Sequence, residues 1–247
     1  MTSEYLPIRQ TALFLDLDGT LAPIAALPED VGPDRARNSL LRRLSRELEG
    51  RLAIVSGRPI DDIDRILDAS IVPIAGVHGL ERRTGGGRII SAQPHPELDR
   101  VYTALEAFAK ERPGLHLEFK MLSVALHYRQ APEAGPEVLD LARRLAWSTG
   151  MKLQEGRMVA ELRSPGADKG DTVRAFMAEA PFKDAVPLFV GDDVTDEDGF
   201  AAAADLGGAG ILVGPQRETR AVSNLADVDA VLRWLADAAE AKSFELP

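Results

Sequence analysis

Residues 11–20 read TALFLDLDGT, an apolar run that stops abruptly at Asp16-Leu17-Asp18-Gly19-Thr20. A short, nearly uninterrupted apolar segment bounded by a glycine turn has the pattern of a strand buried on both faces. Residues two apart on a strand project to the same side, so this strand is expected to present Asp16 and Asp18 together at its end. Burying two unpartnered carboxylates is costly, which places them at a sheet rim. In open α/β sheets that carboxyl-end rim is where ligands bind. Gly19 and Thr20 add backbone N–H groups and a hydroxyl suited to an oxyanion.

Working outward, a helix is expected over 34–49, with Ala36, Leu40, Leu41, Leu44 and Leu48 at helical spacing, Pro33 before it and Gly50 after it. RLAIV (51–55) is a second apolar strand, turning through Ser56-Gly57-Arg58 into a helix that opens at Pro59. IVPIAGV (71–77) is a third. Strand, helix, strand, helix, strand implies a parallel sheet with crossover helices. After Gly79 the rhythm changes. A turn at 84–88, a helix carrying Leu98, Val101 and Leu105, strands at 115–119 and 123–128, a helix over 137–148 and two short strands about Glu155-Gly156 suit a small α+β module. From Lys169 the first rhythm returns: a helix over 172–179, the strand VPLFV (186–190), an acidic loop, a helix at 200–206, a strand at 210–213 and a final helix over 227–241. The expected organisation is one α/β domain, 1–80 and 166–247, interrupted by a module at 81–165. Trp147 and Trp234 fall on amphipathic helices and are expected in cores.

Composition narrows the functions open to such a chain. Its 247 residues are 45% hydrophobic and 28% charged, the balance of a folded protein. With 39 Asp+Glu against 29 Lys+Arg the net charge is −10, so the basic footprint of a nucleic-acid binder is missing. Cysteine is absent, which excludes disulfides, thiolate catalysis and cysteine-held metals. No apolar run approaches the roughly 18 residues of a membrane span, and the N-terminus lacks a leader pattern. The expectation is a cytoplasmic protein, with a monomer as the working assumption and a small molecule as its partner.

The loop GDDVTDEDG (191–199) repeats the opening theme: an apolar strand ends in Asp192, Asp193, Asp196, Glu197 and Asp198. Oxygen-only donors suit a hard cation, Mg²⁺ before Zn²⁺. A calcium loop does not fit, because its first ligand position falls on Val194. Some of these acids serve a helix N-terminus, so one or two ligands are expected. Ser56 at a strand end and Lys169 at a helix start add a hydroxyl and an ammonium. Together the set can accept a phosphate, hold Mg²⁺ against it and attack it with Asp16. A phospho-signalling receiver domain shares this chemistry, but the DxDGT spacing, the length and the inserted module speak against it. A silent sensor is disfavoured because both Asp16 and Asp18 are kept.

DLDGTL (16–21), SGR (56–58), DKG (168–170) and GDDxTDED (191–198) resemble, in order, the four motifs of the haloacid dehalogenase superfamily of phosphatases. GVHGLE (76–81), EFKMLSVALHYR (118–129), GRMVAELR (156–163) and GDDVTDEDGF (191–200) are similar to the trehalose-6-phosphate phosphatase family within it. The resemblance implies a Rossmann-like parallel-sheet core with an inserted α+β cap, and hydrolysis of trehalose 6-phosphate through an aspartyl-phosphate. It implies Asp16 as nucleophile and Asp18 as acid and base. Mg²⁺ would lie on Asp16, the Asp18 carbonyl and Asp192, with Asp193 or Asp196 in support. Ser56 and Lys169 would hold the phosphoryl oxygens. Thr20, Gly57, Arg58, His78, Glu118, Lys120, Arg129, Arg157 and Glu161 would bind substrate. Arg157 stands where the family usually has lysine, and Ser164 separates Arg163 from Pro165, which the family usually joins. A sucrose-phosphate or mannosyl-phosphoglycerate phosphatase is the alternative within the same chemistry.

Overall fold

The computed structural model describes residues 5–156 and 158–247. After a short β1 (Tyr5–Pro7), the apolar run forms β2 (Thr11–Leu15), buried at all five positions. α1 (Arg35–Glu47) starts where Asp34 accepts the N–H of Arg37, satisfying one orphan donor of the first turn. β3 (Leu52–Val55), α2 (Ile60–Leu67) and β4 (Ile74–Gly76) complete the predicted alternation, and β5 (Glu81–Arg83) and β6 (Ile89–Ser91) follow. Next come α3 (Leu98–Lys110), β7 (His116–Lys120), β8 (Ser123–His127), α4 (Gly135–Thr149), β9 (Lys152–Gly156) and β10 (Val159–Arg163). The chain ends with α5 (Lys169–Met177), β11 (Val186–Gly191), α6 (Glu197–Asp205), β12 (Ala209–Val213), β13 (Ser223–Leu225), α7 (Val228–Ala241) and β14 (Ser243–Glu245).

These elements make two units, Met1–Ile90 with Ala167–Pro247, and Ser91–Gly166. The larger holds an eight-stranded sheet in the order β13-β12-β11-β2-β3-β4-β5-β6. The first six strands pair in parallel and β5 runs antiparallel to β4. Alternation along the strands sorts the two faces. Leu13, Leu15, Ile54 and Val190 share one core with Leu41 and Leu44 of α1, Ile63 of α2 and Val231 of α7. Phe14, Val55 and Phe189 share the other with Phe176 of α5 and Phe200 of α6. Sequential strands that keep crossing to a parallel neighbour leave every loop with chemistry at the carboxyl edge.

The smaller unit is a four-stranded antiparallel sheet, β7-β8-β10-β9. Val124, Leu126, Ala160 and Leu162 on one face pack with Val101 and Leu105 of α3 and Val138 and Ala142 of α4. It begins at Ser91, ten residues beyond the expected Glu81, because β5 and β6 belong to the large sheet. They carry no apolar alternation. Instead, Arg83 grips Asp64 at 2.6 and 2.7 Å and Arg82 grips Glu179 at 3.1 and 2.9 Å, anchors invisible to hydrophobic periodicity. Trp147 is a second correction. It is 92% exposed, since α4 buries Val138, Ala142 and Leu145, and a residue two beyond Leu145 points to the opposite side. Trp234 is buried as expected, its ring 5.0 Å from Phe244 in the β1–β14 ribbon. No helix among the described residues is long and apolar enough to cross a membrane.

Candidate active site

Four adjacent parallel strands, β11, β2, β3 and β4, end side by side and deliver Asp192, Asp16, Ser56 and the turn at Val77–Gly79. The strand logic for Asp16 and Asp18 does not survive to Asp18. β2 ends at Leu15, the Asp16 N–H still reaches the Val190 carbonyl at 2.9 Å, and the chain then bends, so Asp18 lies in a turn bridged to Ala22. The two carboxylates take different partners. Asp16 accepts from Lys169 Nζ at 2.8 Å, whereas Asp18 accepts from Arg58 Nε and Nη2 at 2.7 and 2.8 Å.

Lys169 is the first residue of α5. Asp168 caps that helix, accepting from the Asp171 N–H at 2.9 Å, while the Asp171 carboxylate accepts from the Asp168 N–H at 3.3 Å. The cap fixes where the helix begins and therefore where the ammonium emerges. Only 3% exposed, Lys169 also donates to Asp196 Oδ1 at 2.6 Å. Burial pulls its pKa down, but Asp16 and Asp196 outweigh burial and hold it above the usual lysine value. Asp196 is itself fixed, its Oδ2 accepting from the Asp193 N–H at 3.0 Å.

One ammonium does not balance the acids around it. Carboxylate oxygens of Asp16, Asp192 and Asp196 lie within 4.8 Å of one another. Burial, with Asp196 and Asp192 opposing Lys169, pushes the Asp16 carboxyl well up. Burial, then Asp196 and Asp193, pushes Asp192 up to about 7. Three crowded carboxylates with a charge deficit and no nitrogen or sulfur donor fit a hard divalent cation. Gly19 is required by this crowding. At φ +81° it adopts a backbone that side chains disfavour, and a Cβ there would stand 2.1 Å from an Asp192 oxygen.

The other acids of the loop work differently. Asp193, expected in support of the ion, turns its carboxylate to the Val194 N–H at 2.7 Å. Glu197 binds Thr219 Oγ1 and the Arg220 N–H, each at 2.8 Å, and pairs with Arg217, tying down the loop beyond β12. The amides of Gly19 and Thr20, expected to face an oxyanion, donate within their own turn, to Ala22 at 2.7 Å and Leu17 at 3.4 Å. The Thr20 hydroxyl is buried with no hydrogen-bond partner among the described residues. Ser56 is buried and its Oγ accepts the Arg58 N–H at 3.2 Å. Val77 and His78 sit at φ +47° and +56°, stitched to the Arg58 and Ser56 carbonyls at 3.0 and 2.9 Å. A left-handed β-branched residue is strained. Here it packs the His78 ring so close to Gly57 that a Cβ at Gly57 would lie 2.5 Å from it.

In the smaller unit the sheet face turned away from α3 and α4 is polar. Register places Glu118 and Glu161 on either side of Ala125, and Lys120 and Arg163 on either side of Ser123. Lys120 Nζ lies 3.6 Å from Glu118 and 3.3 Å from Glu161. Ser123 Oγ meets Glu161 at 2.5 Å and His127 Nε2 meets Glu118 at 3.0 Å. Burial raises Glu118, but His127 and Lys120 more than offset it and hold the carboxyl below its ordinary value. Arg129 follows β8 in a turn, half-buried. Arg157 lies outside the described residues.

Two partners escaped the sequence reading although a signal existed. Asp62, which pairs with Arg58, stands four residues on, the helical neighbour spacing. Ser123 follows Lys120 after the two-residue turn Met121-Leu122, which fixes them as a cross-strand pair.

A family model described as trehalose-phosphatase matches residues 14–229. A trehalose-6-phosphate phosphatase of Escherichia coli (strain K12) is 40% identical over 228 residues, 91% of this chain and 85% of that protein. A probable trehalose-phosphate phosphatase of Sinorhizobium fredii is 39% identical over 83% of this chain and 78% of its own length. Among solved structures, a trehalose-6-phosphate phosphatase related protein superposes with a TM-score of 0.78 at 30% identity, covering 93% of this chain and 97% of its own. A haloalkanoate-superfamily phosphatase from Bacteroides thetaiotaomicron shares the fold, with a TM-score of 0.61 at 17% identity, over 94% of each chain.

Proposed function

The chain belongs to the trehalose-phosphatase family, and on that premise we propose that it hydrolyses trehalose 6-phosphate to trehalose and phosphate with Asp16 as the nucleophile. The observation that carries the assignment of Asp16 is its buried pairing with Lys169 at 2.8 Å, which keeps an attacking oxygen and a compensating charge together at the sheet edge. An Asp16 oxygen forms a bond to phosphorus as the bond to the sugar oxygen breaks. Asp18, as the carboxylic acid, gives that leaving oxygen its proton. Water then attacks phosphorus, the Asp16–phosphate bond breaks, and Asp18 takes the water's proton. Lys169 and Ser56 face the charge gathered on the phosphoryl oxygens.

Asp16, Asp192 and Asp196 would hold the ion, for which Mg²⁺ is our reading. When bound it supplies positive charge against the phosphoryl oxygens and the attacking carboxylate. Glu118, Lys120 and Glu161 are our candidates for reading the sugar hydroxyls. Ser123 and His127 support them, and fixed carboxylate acceptors beside a lysine donor suit a polyol.

The test is phosphate release from trehalose 6-phosphate beside glucose 6-phosphate and sucrose 6-phosphate, with Mg²⁺ and with excess chelator. Trehalose 6-phosphate should lead by about tenfold or more in kcat/KM, a difference worth about 1.4 kcal/mol, and chelator should stop turnover. Equal rates on the three esters contradict the sugar assignment.

A further inference from the structure

α1 and α7 lie side by side over one core, into which they turn Leu41, Leu44, Val231 and Leu235. Arg43 Nη2 donates to the Ala239 carbonyl at 3.1 Å and Lys242 Nζ to Glu47 at 2.6 Å, so the helices run parallel, with residues 195 or 196 apart at one level. Their outward faces carry opposite charge. At 3.6 residues per turn Arg35, Arg42 and Arg46 fall within about 40° of one another, opposite Leu41 and Leu44, and all three are exposed. Asp229, Asp237 and Glu240 are exposed on the side of α7 away from Val231 and Leu235, with one cation, Arg233, among them. None of these side chains forms an ion pair among the described residues, whereas Arg43 pairs with Glu47 at 3.1 Å. Other exposed arginines, such as Arg65, Arg100, Arg143 and Arg174, are paired within the chain. Level for level, Arg42 matches Asp237, Arg46 matches Glu240 and Arg35 matches Asp229, each within about two residues or roughly 3 Å along the axis.

We propose that the outer faces of α1 and α7 form a self-complementary interface through which the chain associates with a second copy of itself. A twofold axis parallel to the helices and midway between them lays α1 of one protomer on α7 of its partner at unchanged height, and the reverse contact follows by symmetry. Each arginine then meets a carboxylate at its own level, and symmetry repeats every pair. A single exposed ion pair contributes little. Here the pairs form a network, and a guanidinium can grip a carboxylate with two bonds. The charge of −10 on each copy opposes association, so the dimer is weak. Salt at a physiological level screens that long-range repulsion more than it weakens charges in contact. This interface takes the place of the monomer expected from the sequence.

The test is sedimentation velocity of the full chain at about 0.15 M salt, from about 1 µM to about 0.1 mM protein. Wild type should pass from monomer towards dimer within that range. One variant, Arg42→Glu with Arg46→Glu, makes the α1 stripe acidic. The other, Asp237→Arg with Glu240→Arg, makes the α7 stripe basic. Each alone should raise the dissociation constant by about tenfold or more, because both symmetric contacts then join like charges. An equimolar mixture of the two should associate about as tightly as wild type, since reversed meets reversed in one contact and native meets native in the other. Melting curves check the fold. Should a reversal fail to fold, Arg42→Gln and Asp237→Asn only remove charge, and each should weaken the dimer by about threefold or more. A wild type that stays monomeric to about 0.1 mM, variants that associate as wild type does, or a mixture that stays monomeric overturns the proposal.

Discussion

Asp192 shows how the site sets stability against function at the level of a single residue. Its carboxyl is pushed from an ordinary 3.8 to about 7 by burial and by Asp196 and Asp193. A folded-state value above the unfolded one stabilises the fold fully below about pH 4, and that contribution is lost as pH rises through 7. The chelator-treated protein should therefore melt at lower temperature at pH 8 than at pH 5.5. Asp192→Asn should flatten part of that slope, raising the melting point at pH 8 by a few degrees, for about 1–2 kcal/mol, while crippling turnover. A variant that follows the wild-type pH dependence of melting contradicts the crowding of charge described here. Glu118 has the opposite sign. Held below its ordinary value by His127 and Lys120, it stabilises above about pH 4.5 and ceases to do so in acid, so the stability gap between wild type and Glu118→Gln should close as pH falls from 6 to 3.

At the level of elements, α5 is the part whose start matters most, since a one-residue shift of its cap moves Lys169. Replacing Asp168 by Ala should cost about 1 kcal/mol of stability and reduce kcat more than KM, because the ammonium loses its register against Asp16; a change in stability alone leaves the cap without a role in the site. Most of the larger unit was legible because buried parallel strands are short apolar runs and amphipathic helices repeat at 3.6 residues: TALFL, LAIV and VPLFV each became strands. The edge strand β5 was not legible, being held by Arg82 and Arg83 instead of by an apolar face. Within the site, motif spacing located Asp16, Ser56, Lys169 and Asp192 at neighbouring strand and helix ends. It read some acids of the loop as belonging to a helix start, which Asp193 and Glu197 do, but did not foresee that Asp18 leaves the strand and turns to Arg58. That outcome depends on φ/ψ past a strand end and on which cation lies within reach, and neither is written in apolar periodicity.

For the whole molecule, the proposed function assigns the phosphoryl group to the larger unit and the sugar to the smaller one. Glu161→Ala should therefore cut kcat/KM for trehalose 6-phosphate by about tenfold or more, the scale of a lost hydrogen bond to a charged group, while hydrolysis of an aryl phosphate falls far less. Equal losses on both esters remove the smaller unit from recognition. The proposed chemistry turns on a phosphoryl group carried by Asp16. The most direct measurement uses Asp18→Asn with 2,4-dinitrophenyl phosphate and Mg²⁺, where the first transfer needs no acid and the second lacks its base. A burst of about one dinitrophenolate per active site is expected and, after acid quench, a phosphorylated peptide in which mass spectrometry places the group on Asp16. Linear release with no burst, or a phosphoryl group on any other residue, contradicts it.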